Sequence, residues 1–132
     1  MKTNLARAVF AIAGLWGFLS LAPMLFMFQQ IGVSDGRDVT HPGFYFGFLT
    51  AGLAWSAVYV AIAINPKGLR PMMLPATLGK AAYAAAMYLL FRQARTSAPD
   101  LVFGAVDGLL GSWFVVAYVL TKESGRSRAA SA

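Results

Sequence analysis

Four long runs of apolar residues constrain the fold of this chain more than any other feature of its sequence. The runs cover residues 5–30, 43–64, 72–91 and 101–121. Each is close to the roughly 20 residues that an α-helix needs to cross the hydrocarbon core of a bilayer. Hydrophobic residues make up 58% of the chain and charged residues only 12%, too few to cover the surface of a water-soluble globule. The sequence therefore predicts an all-α membrane protein with four spans.

Short separators join the runs, and this spacing predicts antiparallel packing of helices that follow one another along the chain. We expect one domain, residues 1–121, folded as an up-down-up-down four-helix transmembrane bundle. Pro23 lies inside the first run and predicts a kink there, because proline cannot donate the backbone hydrogen bond of a continuous helix. Residues 122–132 form a polar end segment that we expect to be a disordered cytoplasmic tail.

The distribution of basic residues predicts the direction of the spans. Seven Lys and Arg residues flank the runs at the end that holds both termini, and three flank them at the opposite end. The seven are Lys2, Arg7, Lys67, Arg70, Lys122, Arg126 and Arg128, and the three are Arg37, Arg92 and Arg95. Because basic loops resist translocation, both termini are expected in the cytoplasm, with the chain in a bacterial inner membrane. The net charge of +6 then favours anionic lipid headgroups over nucleic acid as a partner.

Small residues predict where the helices approach one another, because association in lipid depends on close van der Waals contact. In the second run, a face of small residues is expected to meet a neighbouring helix, with an aromatic stripe of Phe44, Phe48, Trp55 and Tyr59 about a quarter turn away. The small face comprises Gly43, Gly47, Thr50, Ala54, Ala57 and Ala61. The fourth run has a similar face of small residues, formed by Gly104, Gly108, Gly111 and Ser112.

Two charged residues lie deep within the apolar runs, where each would cost about 3 kcal/mol if it were unpaired. Lys80 falls near the middle of the third run, and Asp107 lies in the fourth, with Cα atoms separated by about 7 Å in depth at the rise of an α-helix. A lysine side chain spans most of that gap. We therefore predict a Lys80–Asp107 pair, which serves either a functional site or only the register of the two helices.

Aromatic residues near the middle of the runs extend this candidate site. Trp16, Trp55 and Trp113 lie far from the headgroup level that tryptophan usually occupies. They either fill the core and face acyl chains, or line a cavity for an apolar ligand. Tyr83 shares the helical face of Lys80 and could donate a hydrogen bond to such a ligand. The candidate ligand-binding residues are Lys80, Asp107, Tyr83 and Trp55.

The chain offers few groups for redox or metal chemistry. It has no cysteine and a single histidine, which excludes disulfide scaffolds, thiol relays, iron–sulfur clusters and bis-histidine haem sites. His41 precedes a proline at the start of the second run and is interpreted as a capping or surface residue. Neither a cofactor nor a metal ion is expected, and no catalytic residue is assigned.

Three segments carry a resemblance to known proteins: HPGFYFGFLTAGLAW, NPKGLRPMMLPATLGKAAY and FGAVDGLLGSWFVVAY. Together they resemble a group of small bacterial four-span membrane proteins of unsettled activity, and the architecture is loosely similar to DoxX-like four-helix proteins. The resemblance implies an acidic residue directly before the lysine within the third span. This chain has Gly79 at that position.

Three functions remain open from the sequence. The first is a non-enzymatic membrane protein that binds an apolar ligand or serves as accessory subunit of a larger membrane complex. The second is an oligomeric transporter of small molecules or protons, in which Lys80 and Asp107 couple transport. The third is a membrane enzyme acting on a lipid or isoprenoid, although such chemistry usually needs more than two convergent titratable groups. The first is the interpretation that we carry forward, with a homo-oligomer also open.

Overall fold

The computed structural model describes the backbone of residues 1–34 and 40–130, and the side chains of residues 1–31 and 40–122. Over this backbone the chain is helical and contains no strand, which confirms the predicted all-α class. The helices are α1 (Lys2–Leu21), α2 (Phe28–Ser34), α3 (Pro42–Ile64), α4 (Met73–Arg92) and α5 (Ala98–Ala130). Arg37 lies outside the described residues, and the side chains of Arg126 and Arg128 do as well.

Three segments of the described chain are long and apolar enough to cross a membrane: Lys2–Leu25, Pro42–Ile64 and Ala98–Lys122. They correspond to the first, second and fourth predicted runs. Helix α4 has 20 residues but is not among the three. Its polar residues, with Lys80 at the centre, lower its hydropathy. The membrane character of the chain is thus supported by three helices, while the fourth span and the side on which the termini lie stay predictions.

The first predicted span is broken rather than kinked. Helix α1 ends at Leu21, a 3-10 turn follows at Pro23–Leu25, and α2 begins at Phe28. The ring of Pro23 removes a backbone donor and collides with the preceding turn, so the α-helix cannot continue through it. The Tyr45 hydroxyl on α3 donates a hydrogen bond of 2.7 Å to the Met24 carbonyl oxygen, which ties the turn to its neighbour.

The end of the chain also differs from its prediction. Residues from 122 onward were expected to be disordered, but α5 continues as a helix to Ala130. Once a helix has formed, each added residue gains one backbone hydrogen bond without the cost of a new nucleus. The long packed part of α5 supplies that nucleus, so the composition of the end segment is a poor guide to its backbone.

The four long helices form an open row in the order α3, α1, α5, α4. Helix α1 packs along both α3 and α5, and α4 packs along α5, whereas α3 and α4 barely touch each other. The core lies where α1, α3 and α5 meet the first turns of α4, and there the rings of Phe10 and Phe114 stack with centroids 4.1 Å apart. Tyr59 packs edge-on against Phe114 at 5.2 Å. Neighbouring helices in the row are therefore packed against each other, and the two end helices, α3 and α4, leave a gap between them.

The small residues of α5 lie where the sequence places them. A Cβ atom at Gly104 would come within 2.6 Å of the Met87 Cβ on α4, and one at Gly108 would contact Ala84. Such distances leave no room for a side chain at Gly104. The predicted approach of the fourth run to a neighbouring helix is confirmed, and that neighbour is α4.

The predicted small face of α3 is wrong in direction. Gly43 and Gly47 have nothing within 4 Å of a built Cβ, so this part of the face is open to the surroundings. The close approach to α1 depends instead on glycines of α1, because Gly14 and Gly17 leave room for side chains of α3. With glycines supplied by α1, α3 turns Ser56 and Tyr59 inward, while Phe44 stays exposed.

Candidate functional site

Lys80 and Asp107 form an ion pair between α4 and α5. The Lys80 Nζ donates a hydrogen bond of 2.7 Å to the Asp107 Oδ1. Their side chains are only 11% and 16% exposed, respectively. The pairing predicted from the sequence is confirmed, and each charge that would be costly alone in an apolar setting has a counter-charge.

The glycines of α5 bring the two side chains together. A Cβ at Gly111 would lie 3.1 Å from the Lys80 Cβ, so Lys80 starts at the level of Gly111. Asp107 is four residues earlier on α5, about 6 Å further along the helix axis. The lysine side chain therefore runs along α5 for about one turn to reach the carboxylate. Without a side chain at Gly111, the aliphatic stem can lie directly against the α5 backbone.

The ring of Tyr59 lies between the hydrophobic core and the Lys80–Asp107 pair, with its face toward the Lys80 ammonium group. The Lys80 Nζ is 5.5 Å from the centroid of the Tyr59 ring, close enough for a cation–π attraction. The same ring also contacts Phe10 and Phe114 of the core. The charged pair thus rests on a packed aromatic layer.

A cavity of about 260 Å³ lies on the other side of Tyr59 from the core. All four long helices line it, and all four predicted site residues are among the lining. The lining includes Trp16 from α1, Phe48, Trp55 and Tyr59 from α3, Gly79, Lys80 and Tyr83 from α4, and Phe103 and Asp107 from α5. Residues that are distant along the sequence therefore meet around one space.

The cavity opens sideways through the gap between α3 and α4. Phe48 on α3 and Tyr83 on α4 face each other across this gap, with ring centroids 6.4 Å apart. Phe48 is 50% exposed, and Pro75 and Gly79 on α4 are exposed as well as lining the cavity. The two rings therefore stand at the opening, and the ion pair lies behind them.

Several polar groups around the cavity are available to a ligand. Within the described side chains, the indole N–H groups of Trp16 and Trp55 and the hydroxyl of Tyr83 have no hydrogen-bond partner. The Ser56 hydroxyl is occupied, since it donates to the Gly52 carbonyl oxygen at 2.9 Å. Among the side chains of residues 1–31 and 40–122, no group of three histidine or carboxylate residues could hold a metal ion.

The other residues singled out from the sequence lie away from the cavity. Trp113 is 42% exposed on α5 and lines a separate apolar groove against α1. His41 is exposed at the residue before α3, and its Nδ1 lies 2.8 Å from the Thr40 hydroxyl oxygen. It occupies the capping position that the sequence indicates.

Sequence reasoning did not assign Phe48, Tyr59 or Phe103 to the site. Phe48, Trp55 and Tyr59 belong to the aromatic stripe of α3, and the spacing that revealed the stripe could have identified them as cavity residues. The prediction instead placed the small residues of α3 against a neighbouring helix, which left the aromatic stripe outside the site. Phe103 gave no such signal, because it lies in a run where apolar residues occur on every side.

Comparison of the chain with known protein families, curated proteins and solved structures finds no match. The resemblance to small four-span and DoxX-like proteins therefore stays a prediction, and the function must be argued from the site itself.

Proposed function

We propose that this chain is a four-span integral membrane protein that binds a small apolar ligand in the cavity between its helices and performs no chemistry on it. The observation that carries the proposal is the cavity of about 260 Å³ with the Lys80–Asp107 pair in its wall. Its volume is just below the range of about 300–1,000 Å³ that is usual for small-molecule sites. A mainly apolar wall with a few polar groups is typical of such sites.

The packing of α4 supports its assignment as a fourth span. Helix α4 lies along α5, with Gly104, Gly108 and Gly111 of α5 in close contact with it. A helix of 20 residues is about 30 Å long, which matches the hydrocarbon thickness of a bilayer. If α5 crosses the membrane, α4 lies at the same depth beside it. The excess of basic residues near the termini then favours a cytoplasmic location for both, in a bacterial inner membrane.

Ligand binding accounts for the site better than catalysis does. The described side chains place only one acid and one base at the cavity, and the two neutralise each other. An enzyme acting on a lipid would usually bring more titratable groups to the reacting atoms. A binding site needs only shape, an apolar wall and a polar group that orients the ligand.

The proposal is tested with tryptophan fluorescence of the protein in lipid nanodiscs, using 1-bromodecane as a heavy-atom quencher. A Trp113→Phe background leaves Trp16 and Trp55, both of which line the cavity, as reporters. We expect quenching that saturates as the mole fraction of quencher in the bilayer rises, because the cavity holds a limited number of molecules. Quenching that rises only in proportion to the quencher in the lipid would contradict a binding site.

A matched pair of glycine substitutions tests whether the quencher binds in the cavity. Gly79 and Gly47 both have open space around a built Cβ, but only Gly79 lines the cavity. Gly79→Phe is expected to fill the cavity and abolish the saturable quenching, and Gly47→Phe to preserve it. Equal behaviour of the two variants would place the quencher elsewhere.

A further inference from the structure

The charge balance of the cavity limits what kind of ligand it can take. Lys80 contributes one positive charge and Asp107 one negative charge, at a separation of 2.7 Å. Among the side chains that the structure describes, the wall has no other charged group. A charged ligand would therefore lose its hydration without finding an unmatched counter-charge, which is costly in an apolar site. An uncharged ligand avoids this cost.

The hydrogen-bonding groups of the cavity limit the ligand further. An ammonium group has three N–H donors, and Asp107 takes one from Lys80. Trp16 and Trp55 each add an indole N–H that has no partner in the described chain. In the described part of the wall, the one charged acceptor is the Asp107 carboxylate, which receives the lysine at Oδ1 and keeps acceptor capacity at Oδ2, so open donors outnumber open charged acceptors. The cavity thus has spare donors, which an acceptor oxygen on the ligand would satisfy.

The opening between α3 and α4 indicates where the ligand comes from. In the proposed topology this gap faces the acyl chains, and the rings of Phe48 and Tyr83 border it. A molecule that enters there must already be dissolved in the membrane. The ion pair behind the rings then meets whichever end of that molecule is polar.

We infer that the cavity binds an uncharged, membrane-dissolved lipophile with a carbonyl-type acceptor oxygen, which hydrogen-bonds to the Lys80 ammonium group while Asp107 neutralises its charge. This inference rests on the proposed function, since it names the class of ligand for the same cavity.

The test is displacement of 1-bromodecane from the Trp113→Phe protein by four ten-carbon competitors at equal mole fraction in the bilayer. The competitors are n-decane, 2-decanone, decyl sulfate and protonated decylamine. We expect 2-decanone to displace the quencher about tenfold more effectively than the other three. One hydrogen bond to a charged donor strengthens binding by about this factor. If n-decane or either charged competitor equals 2-decanone while the quencher still binds saturably, the inference fails and the proposed function stands. If the quencher shows no saturable binding, the proposed function itself fails.

Two variants connect this preference to the ion pair. Asp107→Asn leaves the ammonium group without its counter-charge, so decyl sulfate should become the most effective competitor. The same change at Asp100, on the same helix but outside the cavity, should leave the order of competitors unchanged. Lys80→Met/Asp107→Leu removes both charges and needs no unpaired group to fold, and it should bring 2-decanone down to the level of n-decane. Retention of the ketone preference in this double variant would overturn the role of Lys80.

Discussion

Lys80 on α4 and Asp107 on α5 form an ion pair between two largely apolar helices. Each side chain is largely shielded, and they meet at 2.7 Å. Removal of one partner leaves a charge without compensation. Replacement of both by apolar residues removes the desolvation cost as well as the attraction. The effects of single and double substitution should therefore differ strongly.

We predict that Lys80→Met lowers the free energy of unfolding by about 3 kcal/mol, because it leaves the Asp107 carboxylate unpaired. The double variant Lys80→Met/Asp107→Leu should recover most of that loss. The measurement is unfolding in mixed micelles with increasing dodecyl sulfate, followed by far-ultraviolet circular dichroism. Lys67→Met, at an exposed turn, is the control and should change stability by less than about 0.5 kcal/mol. Additive losses in the double variant would show that the two residues act independently.

Some features of the site could be predicted from the sequence because their physical cause is local. A lysine and an aspartate within apolar runs must find partners, and helix geometry places them within reach of each other. The position of Tyr59 could not be predicted in this way. Its ring forms the boundary between core and cavity only because α1 and α5 supply Phe10 and Phe114 at the same level. That coincidence depends on how three helices are rotated about their axes.

At the scale of helices, the two glycine-containing faces of α5 and α3 differ in what surrounds them. The α5 face contacts α4 over several turns, and the Gly43–Gly47 part of the α3 face is open. Both patterns look alike in the sequence, since each repeats small residues at three- and four-residue steps. Small residues permit close packing but do not require it, so the pattern alone cannot say which face has a partner within the chain.

We predict opposite signs for the same substitution on these two faces. Gly104→Ala should destabilise the protein by about 1–3 kcal/mol, because its Cβ would press on the Met87 side chain 2.6 Å away and force the helices apart. Gly47→Ala should be neutral or stabilise by about 0.5–1 kcal/mol, because alanine restricts the unfolded chain and meets nothing in the folded one. Unfolding in mixed micelles measures both. Equal destabilisation would mean that the α3 face is packed against another molecule under those conditions.

At the scale of the whole molecule, four spans are predicted because the sequence contains four apolar runs that are each long enough to cross a bilayer. Composition alone distinguishes only three helices of the described chain as span-like. The difference arises at α4, where Lys80 faces α5 and the cavity and lowers the mean hydropathy of the helix. Mean hydropathy averages over all faces of a helix, so a helix with one polar face has a low value even where its other faces are apolar. The fourth span stays a prediction, which depends on the length of the apolar run and on the packing of α4 against α5.

The number of spans decides on which side of the membrane the chain's later segments lie. If α4 crosses the membrane, the residues between α4 and α5 lie outside and the C-terminal end of α5 lies in the cytoplasm. If only α1, α3 and α5 cross, both positions are reversed relative to the N-terminal end of α1. Since the chain has no cysteine, single cysteines can report each position without further changes.

We predict that a membrane-impermeant maleimide labels Gln93→Cys in intact spheroplasts, and that it labels Asn4→Cys and Ala132→Cys only after lysis. Gln93 and Asn4 are exposed, so access to either depends on the side of the membrane rather than on burial. The expected pattern follows from α4 lying at the depth of α5, and from the seven-to-three excess of basic residues on the side of the termini. Labelling of Ala132→Cys but not Gln93→Cys in intact spheroplasts would indicate three spans. The Lys80–Asp107 pair would then join α5 to a helix that packs against it without crossing the bilayer.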